Sequence, residues 1–228
     1  MSALPDPRLA ALLERLHARS AGETRTLAEF FGQRAREGSL DWNAFDDRTH
    51  EFLSDKLVAL DREKAELCYE LCHSLRAKRV VEAGTSYGVS TLYLAAAVRE
   101  NAKQDGGQGV VIGTEYEPAK ARAARAHFAE AGLSEFIDLR EGDLRQTLAR
   151  IDGPVDFALI DIWTPMARPA LERIAPHLRL GAIVIADNTT QFREAYRDYF
   201  AFVNDAKNGL RTLTLPFEGG LELTTKHA

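Results

Sequence analysis

Leu9, Leu12, Leu13 and Leu16 recur at helical spacing behind an Asp6-Pro7 start signal and predict a first helix. A second is expected from Thr26 to Arg36, stopping near Gly38, and a third around Ala44 to Leu57. A fourth follows Asp61, a good N-cap, with Leu67, Leu71 and Leu75 on its inner face. The period changes after Lys78, where Arg79 to Ala83 is a short β-branched run that ends at Gly84. Strand-like and helix-like runs then alternate. Strands are predicted at Val110–Thr114, Ile137–Glu141, Val155–Ile160 and Ala182–Ala186. Helices are predicted after Gly88 and at Pro118–Ala131, Leu144–Ile151, Arg168–Leu178 and, for the most part, Gln191–Asn208. Asn101 to Gly109 is predicted to be a surface loop.

Alternating strands and helices, with strands apolar on both faces, mean an α/β fold with a doubly wound, mostly parallel sheet. Leu210–Leu215 and Leu221–Thr225 bring the strands to seven. The connection between these last two is too short for a crossover helix, so they are expected to form an antiparallel hairpin. Residues 1–60 read as a helical cap belonging to the same domain, and residues 61–228 as the α/β domain proper.

Composition narrows the function. The chain has 228 residues and a net charge of -5, which disfavours a nucleic-acid surface driven by bulk positive charge. No apolar run is long enough for a membrane span. The opening Met-Ser-Ala-Leu-Pro-Asp-Pro lacks a basic region followed by an apolar one, so the expected location is cytoplasmic. Cys68 and Cys72, four apart on one helix, read as two small core residues or, less simply, as half of a metal site.

In a sheet of this kind ligands sit beyond the carboxyl ends of the strands. The first such end is Glu82-Ala83-Gly84-Thr85-Ser86-Tyr87-Gly88-Val89-Ser90-Thr91. Gly84 and Gly88 allow a sharp turn and close approach of a ligand, and Ser90 and Thr91 fall where a helix N-terminus can bind a carboxylate. Ser86 replaces the second glycine of the dinucleotide fingerprint, which disfavours a diphosphate cofactor. A plain strand–turn–helix connection is the alternative reading.

The second strand runs into Glu115 and Tyr116, and a carboxylate at Glu115 can accept hydrogen bonds from both hydroxyls of a ribose. Asp143, after the third strand, can accept from an adenine amine or cap the next helix. Asp161 ends the fourth strand, and Asp187-Asn188 ends the fifth. Neighbouring strand ends would make these three a set of hard oxygen donors suited to Mg²⁺ or a similar divalent cation. Otherwise Asp161 positions a ligand while Asp187-Asn188 caps a helix.

Taken together, these segments resemble the cation-dependent O-methyltransferases, the class I S-adenosylmethionine-dependent group that includes catechol and caffeoyl-CoA O-methyltransferases. The likeness runs from about Asp61 to the C-terminus. It implies a Rossmann-like sheet, an S-adenosylmethionine site and a small hydroxylated acceptor. The stretch from Glu82 through Gly84, Ser86 and Gly88 to Ser90 matches the glycine motif, and Ser90 the serine that meets the methionine carboxylate. Glu115, with Tyr116 beside it, matches the ribose-binding acid, and Trp163 a tryptophan beside the adenine. Asp161, Asp187 and Asn188 match the metal ligands, with Asp161 also at the reacting centre. The resemblance further implies a homodimer, and no nucleic-acid or membrane partner. It departs at Thr164, where the family often has a lysine base. Without that lysine a metal-independent N-, O- or C-methyltransferase, or a non-catalytic S-adenosylmethionine-binding module, is the alternative.

Overall fold

A computed structural model describes residues 4–44 and 46–227. Seven strands form one sheet: β1 (Arg79–Ala83), β2 (Val110–Glu115), β3 (Ile137–Glu141), β4 (Val155–Ile160), β5 (Leu178–Asp187), β6 (Leu210–Leu215) and β7 (Leu221–Lys226). Their order is β3-β2-β1-β4-β5-β7-β6. The first five are parallel, and β7 enters antiparallel between β5 and β6. The expected parallel sheet with its closing hairpin is therefore present.

Strand alternation divides the core in two. Val80, Val111, Phe157 and Leu159 face one apolar layer. Their neighbours Val81, Ile112, Ala158 and Ile160 face the other. The first layer is filled by α1 (Pro7–Arg36), α3 (Arg62–Ser74), α4 (Val89–Asp105) and α5 (Pro118–Glu130). The second is filled by α6 (Leu144–Thr147), α7 (Thr164–Ile174) and α8 (Arg197–Asn204). Burial on both faces explains why these strands read as continuous apolar runs. Cys68 and Cys72 are free and buried in the first layer, and desolvation raises both thiols.

Several boundaries differ from the sequence reading. The first two predicted helices are one helix of 30 residues, capped by Asp6, which accepts from the Arg8 and Leu9 amides at 3.0 and 3.3 Å. Gly22 does not break it, because a single exposed glycine costs only about 1 kcal/mol in a helix. The third predicted helix shortens to α2 (Asp47–Leu53), capped by Asp46. The predicted loop from Asn101 begins as the last turn of α4, held by the Asn101 side chain on the Cys72 and Ala77 carbonyls, both at 3.0 Å. α7 starts at Thr164 rather than at Arg168, since Pro165 occupies the first turn, where a proline is favoured. The helix predicted from Gln191 starts only at Arg197, after a turn.

Gly88 shows what the turn after β1 demands. Its φ is +83°, and a Cβ there would overlap the Phe128 ring. Gly88→Ala should therefore lower stability by about 2–4 kcal/mol, from left-handed strain plus overpacking. Adding Phe128→Leu should recover the packing part but not the strain, a split readable from urea unfolding of the two variants.

Candidate functional site

The turn from β1 to α4 is built around a buried carboxylate. Glu82 accepts from the hydroxyls of Thr85 at 2.8 Å, Ser90 at 2.7 Å and Thr91 at 2.5 Å. Burial raises its pKa, and the three hydroxyls act against that rise. Gly113 on the adjoining strand leaves room for this network, since a Cβ there would strike the Thr85 hydroxyl. Gly84, at φ +99°, crosses the end of β4, where any side chain would run into the Asp161 carbonyl. The chain thus turns over the β1–β4 junction, the switch point of the sheet.

Beyond that junction opens a cavity of about 720 Å³. At one end lie Gly84, Ser86, Glu115, Tyr116 and Asp143. Glu115 Oε2 accepts from the Ser86 amide at 2.6 Å and Oε1 from the Glu117 amide at 2.7 Å, which fixes the carboxylate and leaves a lone pair on each oxygen. Burial pushes its pKa up. Ser86, in a left-handed conformation at φ +49°, contributes backbone rather than side chain to this arrangement. Asp143 lines the cavity and also caps α6 through the Arg145 amide at 2.9 Å, so both roles read from its position are compatible. Tyr116 is 62% exposed at the rim.

Three candidate residues stand elsewhere. Glu82 is fully buried beneath the turn and does not line the cavity. Gly88 packs on Phe128, away from it. Ser90 reaches only a narrow side crevice shared with Gly84, Ser86 and Asp161, and its hydroxyl proton is given to Glu82. At Glu82 and Gly88 the neighbours consume the available lone pairs and space, so both residues support the turn.

Asp161, Asp187 and Asn188 all line the cavity, from the ends of β4 and β5. The Asp187 carboxylate is held on both oxygens: Oδ1 by the Lys64 ammonium at 2.7 Å, Oδ2 by the Asn188 amide at 3.0 Å. Lys64 also reaches Asp61 at 3.0 Å, and its side chain is 2% exposed. No motif marked Lys64, which meets Asp187 across 123 residues. Burial raises Asp161 well above the ordinary carboxylate range, and the charges of Asp187 and Glu82 add to the rise. One ammonium, shared with Asp61, is therefore set against the two carboxylates of Asp161 and Asp187 and leaves part of their charge unmatched.

No group of three His, Cys, Asp or Glu side chains that could hold a metal occurs among the described residues. The donor set here is two carboxylates and an amide, all hard oxygen donors. That set and its uncompensated charge fit a divalent cation of the Mg²⁺ kind. Lys64 would then orient the Asp187 carboxylate, as outer partners of metal-binding carboxylates do.

The far end of the cavity is aromatic. Trp42 lies 4.3 Å from Phe192, 5.3 Å from Trp163 and 5.1 Å from Phe31, ring centre to ring centre. Trp163 thus packs against the N-terminal cap while lining the cavity. Trp42, Phe31 and Phe192 escaped the sequence reading because nothing local distinguishes a cavity aromatic from a core one.

A family of methyltransferase domains matches residues 81–189. The chain is 29% identical over 132 residues to a catechol O-methyltransferase of Mycobacterium tuberculosis, covering 58% of this chain and 57% of that one. It is 33% identical over 130 residues to a catechol O-methyltransferase of Niastella koreensis, covering 54% and 53%. The matches thus span little more than half the length of these relatives. Among solved structures, an O-methyltransferase of tomaymycin synthesis from Streptomyces achromogenes, in complex with S-adenosylmethionine, superposes with a TM-score of 0.66 at 20% identity, over 81% of this chain and 92% of that one. An O-methyltransferase from Bacillus cereus in complex with S-adenosylhomocysteine gives 0.65 at 18% identity, over 98% and 93%. By sequence, residues 81–189 match a family of methyltransferase domains, and the chain shares the fold of these solved O-methyltransferases.

Proposed function

We propose that this chain is an S-adenosylmethionine-dependent O-methyltransferase acting on a small hydroxylated acceptor. The observation that carries the reading is Glu115. It is a buried carboxylate, locked by two backbone amides and free on its cavity side, at the end of the strand next to the glycine turn. That arrangement suits a ribose diol. Asp143 and Tyr116 would flank the adenine, and Gly84 with Ser86 the methionine portion. Methyl transfer is an in-line displacement, so the protein's main task is alignment of the acceptor oxygen with the sulfonium methyl. Asp161, which lines the same cavity, is assigned to take the acceptor's proton, a role Thr164 cannot fill. A divalent cation held by Asp161, Asp187 and Asn188 would lower the pKa of an acceptor hydroxyl.

A second reading, methyl transfer without metal, is favoured by one observation. The Lys64 ammonium already meets Asp187 at 2.7 Å and supplies part of the charge a cation would bring. Excess chelator separates the two. The first reading expects turnover to fall by about a hundredfold and to return with Mg²⁺, with S-adenosylmethionine affinity unchanged; full activity in chelator selects the second. The homodimer belongs to the same proposal and would appear in light scattering as twice the monomer mass.

Glu115→Ala should weaken S-adenosylmethionine binding about tenfold to a hundredfold by calorimetry, as expected for loss of charge-assisted hydrogen bonds. The ribose hydroxyls donate to the ionised carboxylate, and burial has raised its pKa. Binding should therefore be full at neutral pH and begin to decline, as pH falls, above the ordinary glutamate value of 4.5. Absence of any heat with S-adenosylmethionine at millimolar concentration would remove the proposal.

Asp161→Asn should leave S-adenosylmethionine binding within a few fold while lowering kcat by about 10²–10⁴, the usual range for a lost general base. Parallel falls in binding and kcat would instead mark Asp161 as a cofactor ligand.

A further inference from the structure

One cation of the cavity is left without a partner. Among the described lining residues the lysine and arginine side chains are Lys120 and Arg145. Arg145 is spent on Asp143 at 2.5 Å. Lys120 makes no hydrogen bond or ion pair with any described residue. Its ammonium lies 5.8 Å from the centre of the Tyr87 ring, in the turn after β1. Glu115, at the end of β2, is the acid that acts on it most strongly, ahead of Glu117 and Asp55. These three acids have other partners: the Glu115 oxygens hold the Ser86 and Glu117 amides, Glu117 meets His50, and Asp55 meets Lys56. Burial lowers the Lys120 pKa in spite of them.

Local structure does not call for a lysine at this position. Lys120 is the third residue of α5, whose first turn contains no acid. The free amides make the start of a helix positive, so a cation in that turn is unfavourable. What the position does provide is a half-buried ammonium on the cavity wall, beside a carboxylate that keeps a free lone pair on each oxygen. A carboxylate can only accept and an ammonium can only donate. A hydroxyl between them does both: its proton goes to the carboxylate, and its oxygen receives the ammonium. Such a pair satisfies a hydroxyl completely and leaves two charged groups unpaired when the hydroxyl is missing.

We infer that Lys120 is a further cofactor-binding residue, whose ammonium donates to the oxygen of a ribose hydroxyl that gives its proton to Glu115. This rests on the proposed placing of the S-adenosyl nucleoside against Glu115 and adds to that site a cationic partner from α5.

The test is calorimetry of the full chain with S-adenosylhomocysteine and with its 2′-deoxy and 3′-deoxy forms. Lys120→Met should raise the Kd of S-adenosylhomocysteine about tenfold, the usual worth of a hydrogen bond to a charged group. For one of the two deoxy ligands the unaltered chain and Lys120→Met should agree within about twofold, because the oxygen that Lys120 meets is gone. In a Glu115→Gln background Lys120→Met should still cost about threefold or more. A folded Lys120→Met protein that binds S-adenosylhomocysteine like the unaltered chain overturns the inference. So does an equal loss for all three ligands, which would make Lys120 a support of the fold. A loss that vanishes in the Glu115→Gln background also overturns it, since the ammonium would then act only through the carboxylate. If Lys120→Met does not fold, Lys120→Ala is measured in its place. Failure of the unaltered chain to bind S-adenosylhomocysteine at millimolar concentration would instead remove the cofactor reading, and the role of Lys120 with it.

Discussion

Everything at the carboxyl edge of the sheet depends on how one buried carboxylate is satisfied. Glu82 has no access to water, and an unpaired charge in that position would cost several kcal/mol. Its three hydroxyl partners come from the turn and from the first helical residues of α4, so satisfying Glu82 and shaping the turn are the same event. The turn then presents the Ser86 amide to Glu115, which links the second strand to the first at a fixed spacing. Gly84 and Gly113 are the vacancies that let these groups approach. The part of the cavity assigned to the cofactor is therefore rigid for reasons internal to the protein, before any ligand arrives.

The other half is organised differently. Its walls come from α1, the loop behind it, the start of α7 and the turn after β5, elements joined by aromatic contacts and a few side-chain-to-carbonyl bonds rather than by a sheet ladder. Such a wall can change composition without disturbing the sheet. The comparisons follow this division only in part: the recognisable methyltransferase stretch runs from residue 81 to 189, leaving Phe31, Trp42 and Phe192 outside it and Trp163 within.

What the chain disclosed in advance follows this division. The strands were legible because β1, β4 and β5 are apolar on both faces and end in turn residues or acids. Gly84, Glu115 and the Asp161–Asp187–Asn188 rim were legible because strand ends in parallel sheets are where ligands collect. Ser90 was placed at the right turn, but its hydroxyl faces inward, and only the packing of Glu82 decides that direction. Lys64 was invisible, since its partner lies 123 residues away. The fusion of two predicted helices into α1 was missed because a Gly22 and a polar stretch interrupt the apolar stripe without interrupting the backbone.

The insertion of β7 between β5 and β6 carries a cost in time. Asp187 pairs with Leu221, and Gly219 contributes the carbonyl that receives the Thr190 and Gln191 amides, both at 2.9 Å. Until the ribosome has released those late residues, the apolar edge of β5 lacks its neighbour, and the turn holding Asn188 lacks its clamp. A nascent chain stalled before Gly219 would thus display a sticky, unpaired strand together with half of a site. Completion of the β5–β7 ladder and closure of the acidic rim are thus coupled through Gly219.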